Sequence, residues 1–380
     1  MAEPKTVTIP AAIDLHIHFR EPGTNKAETI ASGSKAALQG GYALVCDMPN
    51  NPGNPTWTME RLTQKQAIIK KTSHMPIATY AGSQPESDNL AELALMAPHS
   101  IGLKLYGAAT TGNARDYQPD EFDAIVKTWH KAAPNKPIML HSGKDNLWEF
   151  IELIANRHSH QLHVCHINSP TDAELVMKAR EKGAKVTCGV CPHHILKSEK
   201  DEVTEGWFAR MQPALVDEAS AAELFRLFAE GQIDVLETDH APHLAADKWA
   251  AEQENPEGIH DPDHRTCFGV PGVEFALPLL FYQMKRGRIS LERIIDATSK
   301  SPAEIIGIKL SSTTKVTWRL EEYRIGDKYP KGLSSSGWTP YMNNLAVGAV
   351  EKSFIGGKIL IENGKFKARL PQVANSGSVI

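Results

Sequence analysis

Histidines recur in close pairs along this chain. The sequence contains 16 histidines, and four pairs have their members within three residues of each other: His16 with His18, His163 with His166, His193 with His194, and His240 with His243. Imidazole is a frequent zinc ligand, and its proton affinity lies close to neutral pH. The pairs therefore indicate metal binding or acid–base chemistry.

Short apolar runs alternate with amphipathic stretches over the first 240 residues. Eight runs are predicted to be strands: Ala12–His18, Ala43–Met48, Pro76–Tyr80, Ile101–Tyr106, Pro137–His141, Leu162–His166, Val186–Val190 and Ile233–Asp239. Seven helices are predicted between them: Lys26–Gln39, Thr58–Lys71, Asp88–Met96, Pro119–Ala133, Lys144–Arg157, Thr171–Lys182 and Asp217–Glu230. This alternation predicts the α/β class and a (β/α)8 TIM barrel.

Polar side chains stand at or near the ends of five of these strands. They are His16 and His18 on the first strand, Lys104 on the fourth, His141 on the fifth, His166 on the sixth and Asp239 on the eighth. Catalytic residues of such barrels lie at the C-terminal ends of the strands. Any one of these residues is more often a structural polar group or a helix cap. The whole set on one rim predicts a metal site.

Four histidines and one aspartate can hold two metal ions only if another group bridges the ions. Lys104 becomes such a bridge if its amine reacts with CO2, because a carbamate has two oxygens. That reaction needs a neutral amine, which burial in a strand favours. Two metals about 3.5–4 Å apart would share a water and lower its pKa. With Asp239 as proton acceptor, the set predicts hydrolysis of an amide or ester.

The order of the motifs resembles that of the amidohydrolase superfamily and, within it, of the dihydroorotases. The motifs are DLHIHFREPG (14–23), DMPN (47–50), GLKLY (102–106), IMLHS around His141, HVCHI ending near His166, CPHH (191–194) and TDHAPH (238–243). The resemblance covers residues 10 to 365. It implies the reversible hydrolysis of dihydroorotate to N-carbamoyl-L-aspartate in pyrimidine biosynthesis.

The resemblance also implies a role for each site residue. His16, His18 and Asp239 would hold one zinc, and His141 and His166 a second. Carbamylated Lys104 and a hydroxide would bridge the two Zn2+ ions, and Asp239 would be the general acid and base.

The implied substrate-binding residues are Arg20, Asn50, His243, Thr110, Thr111 and Gly269. The first three match the family positions that bind the substrate carboxylate. Arg20 follows the two histidines on the same rim, and a guanidinium pairs with a carboxylate through two hydrogen bonds. Thr110 and Thr111 belong to a loop that resembles a substrate-covering loop (107–113), and an ordinary flexible loop is the equal alternative. Gly269 belongs to the segment CFGVPG, whose backbone would face the substrate.

The chain outside the barrel is short compared with relatives of this kind. Only 15 residues precede His16, whereas about fifty residues are usual there. We therefore predict a barrel over residues 10–310 and a reduced β appendage from 1–9 and 311–380. The appendage is formed mainly by strand-like runs in Val347–Leu370, with a partner strand at Thr6–Ile9 and a tail of ten residues.

The five cysteines are assigned structural roles. Animal-type dihydroorotases can hold a third zinc through a cysteine before the strand-six histidine and a glutamate on strand seven. Cys165 is present here, but Gly189 stands at the glutamate position, so no third site is predicted. Cys188 and Cys191 form a C-x-x-C beside His193, which in isolation resembles a zinc knuckle. The family pattern makes this segment a strand end without a ligand role.

Composition excludes several classes of protein. The 380 residues include 41 Lys plus Arg and 45 Asp plus Glu, a net charge of −4, which argues against binding to nucleic acid or anionic membranes. No apolar run reaches the roughly 18 residues of a membrane span. The N-terminus has no export signal, and sparse cysteines fit a reducing compartment. We expect a cytoplasmic enzyme with a small-molecule substrate, a homodimer by default, and possible association with aspartate transcarbamoylase.

Three alternative functions fit the sequence less well. Other cyclic amidohydrolases, such as dihydropyrimidinase, hydantoinase or allantoinase, share the metal ligands but have little use for Arg20. An inactive barrel kept as an assembly partner would typically have lost metal ligands, and here all six positions are filled. A phosphotriesterase-like or adenosine-deaminase-like enzyme is disfavoured by the REPG and APH motifs.

Overall fold

A computed structural model describes residues 5–111, 115–143, 145–254, 267–327 and 333–380. Its strands are β1 (Thr6–Pro10), β2 (Ala12–Ile17), β3 (Tyr42–Asp47), β4 (Pro76–Thr79), β5 (Ala81–Gly82), β6 (Leu103–Tyr106), β7 (Ile138–His141), β8 (Leu162–Val164), β9 (Val186–Val190), β10 (Val235–Leu236), β11 (Lys315–Arg324), β12 (Leu345–Ile355), β13 (Lys358–Glu362), β14 (Lys365–Phe366) and β15 (Gln372–Ala374).

The described α-helices lie between the barrel strands and after the last of them. They are α1 (Ile30–Gln39), α2 (Met59–Thr72), α3 (Leu90–Met96), α4 (Asp123–Ala132), α5 (Leu147–Ile151), α6 (Pro170–Glu181), α7 (Pro192–Leu196), α8 (Glu199–Glu205), α9 (Glu218–Ala229), α10 (Ala245–Glu254), α11 (Ala276–Lys285), α12 (Leu291–Ile295) and α13 (Ser301–Ile305). Two π-helical segments, Glu152–Arg157 and Asp296–Lys300, extend α5 and α12.

The predicted barrel is confirmed. One parallel sheet has the order β10-β9-β8-β7-β6-β5, and a second has the order β15-β4-β3-β2. The short strands β4 and β5 follow each other and link the two sheets. The barrel closes where Ile17 bridges His240 in parallel, with His18 N donating to His240 O at 2.8 Å. Nearly every barrel position is buried, as expected for strands covered on both faces.

Helix α1 starts later than the predicted Lys26. Thr29 caps it, because the Thr29 side chain accepts from Ser32 N and the Ser32 side chain accepts from Thr29 N. The preceding Glu28 is buried and accepts hydrogen bonds from Ser334 and Ser335. Residues 26–29 therefore lie outside the helix, in the connection that leads to it. Lys144, the predicted start of another helix, lies outside the described residues.

The small β appendage is present as a five-stranded antiparallel sheet with the order β1-β11-β12-β13-β14. The predicted turns at 356–357 and 363–364 join its last three strands. The predicted strand near the N-terminus is β1. It pairs with β11, a strand that the sequence pattern did not indicate. The predicted division at residues 10 and 310 stays a prediction.

The last ten residues were expected to be a tail, and this expectation is wrong. Residues 372–374 form β15, which pairs in parallel with β4 at the barrel. Ile380 is 3 % exposed, and its carbonyl accepts a hydrogen bond from Ser311 N. The segment is fixed by backbone pairing and apolar burial. Among the described helices, none combines the length and the apolar character that crossing a membrane requires.

Candidate active site

His16, on β2, and His18, directly after β2, lie beside Asp239 at the end of the eighth barrel strand. Nε2 of His16 and Nε2 of His18 lie 3.2 Å apart. Asp239 Oδ1 lies 3.4 Å from His16 Nε2 and 3.1 Å from His18 Nε2. All three side chains are buried. Three potential ligand atoms within 4.8 Å of one another can hold one metal ion.

A second pair of histidines lies beside this group. His141 Nδ1 and His166 Nε2 are 2.9 Å apart, and the His166 ring centroid is 4.8 Å from that of His16. Lys104, on β6, is fully buried, and its Nζ donates to Cys165 Sγ at 3.2 Å. The structure therefore gathers all six predicted metal ligands in one buried region.

Electrostatics prepare these groups for metal binding. Burial lowers the pKa of all four imidazoles, that of His141 to about 3, and the charge of Lys104 adds to the effect on His16, His141 and His166. The histidines are therefore neutral near pH 7, each with a lone pair for a metal. His16 Nδ1 and His166 Nδ1 are buried without a hydrogen-bond partner among the described residues. The donor set fits borderline divalent metals.

The environment of Asp239 suits proton transfer. Burial raises its pKa to about 7, Glu237 adds to the rise, and Lys104 and Arg20 oppose it. A carboxylate with a pKa near the working pH can both accept and release a proton.

Backbone strain is concentrated at this site. Arg20, His166 and Asp239 have φ values of 61°, 36° and 42°, a region that residues with a Cβ rarely adopt. Such conformations cost about 1–3 kcal/mol each and persist where the surroundings impose them. All three residues follow barrel strands at the site.

A small cavity lies above the histidines. Its lining includes five of the six predicted substrate-binding residues: Arg20, Asn50, Thr110, Thr111 and Gly269. It also includes four residues that the sequence analysis did not single out: Tyr106, Gln212, Ala241 and Phe268. Tyr106 follows Lys104 by two residues, so strand alternation could have placed both on one face. The others lie on loops, where periodicity gives no signal.

Arg20 is the cation of this cavity. Its side chain is 2 % exposed, and its Nε and Nη1 have no hydrogen-bond partner within the described ranges. A buried charge without a partner is costly. A bound carboxylate would satisfy both nitrogens.

The loop after β6 folds over the same cavity. Asn50 Nδ2 donates to the Thr111 carbonyl at 2.9 Å, while Asn50 Oδ1 has no described partner. Residues 112 and 113, the end of the predicted covering loop, lie outside the described residues. Gly269 is at φ 135°, and a Cβ there would lie 2.5 Å from Ala241 O. Only glycine fits this close approach.

His243 does not lie where the family resemblance implies. It is buried, but it does not belong to the cavity lining among the described residues, and its Nε2 donates to Phe268 O at 3.0 Å. Its own carbonyl accepts from Trp338 Nε1 at 2.8 Å. The ring therefore holds the Gly269 segment in place, and its role as a direct substrate ligand stays a prediction.

Two buried carboxylates support the ligands from below. Asp14 accepts from His16 N and Thr238 N at 3.1 Å each, and burial raises its pKa to about 7. Asp47 lies 2.7 Å from Lys65 Nζ and accepts from Phe19 N at 3.0 Å. The two contacts fix the chain on either side of the histidine pair. Asp14 precedes His16 by two residues, so strand alternation places both on one face.

Glu237 is a further carboxylate that the sequence analysis did not single out. It is fully buried and accepts a hydrogen bond from His166 N. A Cβ on Gly189 would lie 2.6 Å from the Glu237 carboxyl group, so the eighth barrel strand fills the space in front of the glycine. Glu237 also groups with His16 and Cys165 within 4.8 Å. Glu237 therefore supplies a carboxylate where residue 189 has none, and Gly189 is not a reason to exclude a third zinc site. The expected absence of that site stays a prediction.

The sequence matches a family model described as "Amidohydrolase family" over residues 7–315. It is 30 % identical over 342 residues to the dihydroorotase of Bacillus cereus (strain G9842). That match covers 84 % of this chain and 76 % of that protein. It is 29 % identical over 367 residues to the multifunctional protein CAD of Squalus acanthias. That match covers 96 % of this chain and 15 % of CAD, so the chain spans a small part of that protein.

Among solved structures, the fold is similar to that of an L-hydantoinase (dihydropyrimidinase) from Arthrobacter aurescens. The TM-score is 0.81, and the match covers 97 % of this chain and 88 % of that chain. Sequence identity is 20 %, so this likeness concerns the fold alone.

Proposed function

The chain belongs to the amidohydrolase family, and from this premise we propose that it is a dihydroorotase. It would hydrolyse the cyclic amide bond of (S)-dihydroorotate reversibly, giving N-carbamoyl-L-aspartate for pyrimidine biosynthesis. Dihydroorotases at 27–30 % identity, which match over most of this chain, support the assignment.

The observation that carries the substrate assignment is the buried guanidinium of Arg20. It lines the cavity next to the metal-ligand histidines, with two nitrogens that have no partner in the described part of the chain. Dihydroorotate differs from dihydrouracil by one carboxylate on the ring. A carboxylate paired with Arg20 would offset the cost of burying that cation and would orient the ring toward His16 and His141.

We propose a centre of two zinc ions. His16, His18 and Asp239 would hold one ion, His141 and His166 the other, and carbamylated Lys104 would reach both. When bound, the ions would polarise the scissile carbonyl and make a shared water or hydroxide reactive at neutral pH. The family supports a binuclear metal centre, and the buried His and Asp donors fit it. The zinc identity and the carbamate belong to the proposal.

Asp239 would move the proton. Its carboxylate, buried beside His16 and His18, would accept the proton that the attacking water loses. It would then deliver this proton to the ring nitrogen as the carbon–nitrogen bond breaks. The nitrogen leaves as the terminal NH2 of the carbamoyl group, and the carbon keeps the water oxygen as a carboxylic acid. This acid releases the second water proton to solvent and becomes the new carboxylate, so atoms and charge balance.

The alternative is another cyclic amidohydrolase, a dihydropyrimidinase, hydantoinase or allantoinase. The L-hydantoinase likeness supports the shared barrel. Substrates of that class lack the ring carboxylate, which leaves Arg20 without a ligand. The guanidinium therefore favours dihydroorotate.

Partners and location stay proposals. We propose that the protein forms a homodimer and can associate with aspartate transcarbamoylase. We propose a cytoplasmic location, because all five cysteines are buried free thiols, as is usual in reducing compartments.

The proposed function is tested by ring opening of L-dihydroorotate, dihydrouracil and hydantoin with zinc-loaded protein, followed by ultraviolet absorbance. Metal content is counted on the same sample. We expect turnover of dihydroorotate alone. Turnover restricted to dihydrouracil or hydantoin would keep the metal chemistry and refute the substrate assignment. Failure of all three with metal fully loaded would refute the proposed activity of this chain alone.

A further inference from the structure

A second cluster of metal-ligand side chains lies at the end of β9 and shares no residue with the proposed two-zinc centre. Cys191, His193 and His194 each offer one donor atom, and the three atoms lie within 4.8 Å of one another. All three side chains are 0 % exposed. The three donors lie within a stretch of four residues, in which Pro192 leads the chain from β9 into α7.

Several nitrogens of this cluster are buried without a hydrogen-bond partner. In the described part of the chain, His193 Nδ1, His193 Nε2 and His194 Nδ1 have none. The two rings stand edge to face, with centroids 4.3 Å apart. Leaving a buried polar atom unsatisfied costs about 1–3 kcal/mol. An ion could bind one nitrogen of each ring, so two of these three atoms could become metal ligands.

The remaining nitrogen shows how His194 is oriented. His194 Nε2 lies 3.1 Å from the carbonyl oxygen of Pro213. A carbonyl can only accept, so Nε2 carries the hydrogen and Nδ1 of the neutral ring has a free lone pair. Histidines that bind metals commonly donate their other ring N–H to a backbone carbonyl in this way.

We propose that Cys191, His193 and His194 bind one zinc-class divalent cation. Thiolate and imidazole are the ligands that zinc prefers in proteins. Tetrahedral bonds of about 2.0–2.3 Å separate ligand atoms by roughly 3.3–3.7 Å. The three donor atoms, which lie within 4.8 Å of one another, would have to approach to this spacing when an ion binds. As the sulfur–metal bond forms, the Cys191 thiol proton leaves to solvent.

The site differs from the zinc knuckle that the C-x-x-C spacing indicates. Cys188, the first cysteine of that motif, lies within β9, and Arg180 Nη2 donates to its Sγ at 3.8 Å. It is absent from the described cluster. The proposed cation would therefore tie the turn after β9 to α7, and Cys188 would have no part in binding.

The experiment is a Co2+ titration of the reduced, metal-stripped full-length protein. The proposed two-zinc centre contains no cysteine, so a thiolate-to-cobalt charge-transfer band in the near ultraviolet reports a cysteine ligand. We expect one such band, its loss in Cys191→Ser and its weakening in His193→Gln. Zinc counting should show about one ion per chain fewer in Cys191→Ser than in the native protein.

Two controls separate this site from its neighbours. Cys188→Ser is the matched control, because Cys188 is equally buried and belongs to the same motif. Cys165→Ser removes the cysteine that groups with His16 and Glu237. The band should persist in both variants. Its absence from the native protein, its persistence in Cys191→Ser, or its loss in Cys165→Ser alone would overturn the proposal.

A variant that fails to fold does not leave the proposal untested. X-ray absorption at the zinc edge on the native protein and on Cys165→Ser should show a sulfur scatterer at about 2.3 Å in both. Nitrogen and oxygen scatterers alone would overturn the proposal. None of these measurements depends on turnover, so the result is independent of the proposed dihydroorotase activity.

Discussion

At the scale of single residues, the site depends on side chains whose surroundings change their chemistry. Burial brings the pKa of Asp239 to about 7 and keeps the four neighbouring imidazoles neutral. Arg20 is buried without a described partner for two of its nitrogens. These properties follow from the barrel that surrounds the residues, since the same side chains in water would have ordinary pKa values.

Replacing Asp239 by Asn tests the proton-transfer role. Asn has nearly the same size but cannot accept the proton, so we expect turnover of dihydroorotate to fall by about 10²–10⁴-fold or more. The measurement is kcat with metal content on the same sample. If Asp239→Asn kept both normal turnover and normal zinc, Asp239 would have no place in the mechanism.

The gathering of the six proposed metal ligands at one place could be predicted, because strand alternation and the rim of a barrel are visible in sequence. His16 and His18 are two residues apart, and Lys104 interrupts an apolar run. His243 was harder, because its contact with Phe268 O joins two loops. Glu237 was missed because its significance depends on the space in front of Gly189, which only the packed barrel defines.

At the scale of secondary-structure elements, buried ion pairs hold the strand ends that present the site. Lys65 Nζ, on α2, lies 2.7 Å from Asp47 and donates to Met48 O at 2.7 Å. Both groups of the pair are fully buried. Asp47 also accepts from Phe19 N, next to Arg20. The helix thus positions the cation of the cavity through the end of β3.

Removing one partner of this pair leaves a buried charge. We expect Lys65→Met to lower the free energy of unfolding by about 3–5 kcal/mol. Lys70→Met, at an exposed position of the same helix, should change it by less than about 0.5 kcal/mol. Urea unfolding of both variants measures the difference. Equal stability of the two variants would contradict a structural role for the pair.

A buried lysine on α10 should make the free energy of unfolding depend on pH. Lys248 is fully buried, its Nζ donates to Arg210 O at 2.9 Å, and burial lowers its pKa to about 7. The unfolded chain binds the lysine proton up to about pH 10, whereas the folded chain loses it near pH 7. Stability should therefore rise with pH between these values.

This linkage predicts a specific difference between variants. From about pH 7 to about pH 9 the native protein should gain up to about 2–3 kcal/mol from Lys248. Lys248→Met should lack that gain, and Lys285→Met, at an exposed side chain, should keep it. Denaturant unfolding at both pH values measures it. A parallel pH response in native protein and Lys248→Met would show that Lys248 does not titrate as described.

At the scale of the whole molecule, a buried tryptophan of the appendage packs against the barrel. Trp318 of β11 is fully buried, and a Cβ on Gly41, at the start of a barrel strand, would lie 2.2 Å from its ring. The Trp318 ring centroid is 5.0 Å from that of Phe281 on α11. The indole therefore joins the antiparallel sheet to the barrel.

Truncating this side chain should destabilise the molecule without touching the site. We expect Trp318→Ala to cost about 3–5 kcal/mol, and Lys315→Ala, exposed on the same strand, to be nearly neutral. Thermal unfolding compares the two, and the KM for dihydroorotate is the control for an intact site. A Trp318→Ala protein as stable as Lys315→Ala would show that the contact carries no stability.

The barrel was predictable because its strands are local apolar runs, whereas its outer additions were not. Strand β11 contains KVTWRLEEYR, and its charges conceal the alternation of buried Val316 and Trp318. Strand β15 is three residues long and is stabilised by pairing with β4, far away in sequence. Closure through Ile17 and His240 is likewise a non-local contact. Local patterns cannot indicate such pairings.

The central claim is that Arg20 selects a substrate with a ring carboxylate. The most direct test is the ratio of kcat/KM for dihydroorotate to that for dihydrouracil, measured for the native protein and for Arg20→Met with equal metal content. We expect a large ratio in the native protein and a fall of about 10²-fold or more in Arg20→Met, since a charge-assisted pair in a buried site is lost. An unchanged ratio would contradict the account and return the chain to the wider family of cyclic amidohydrolases.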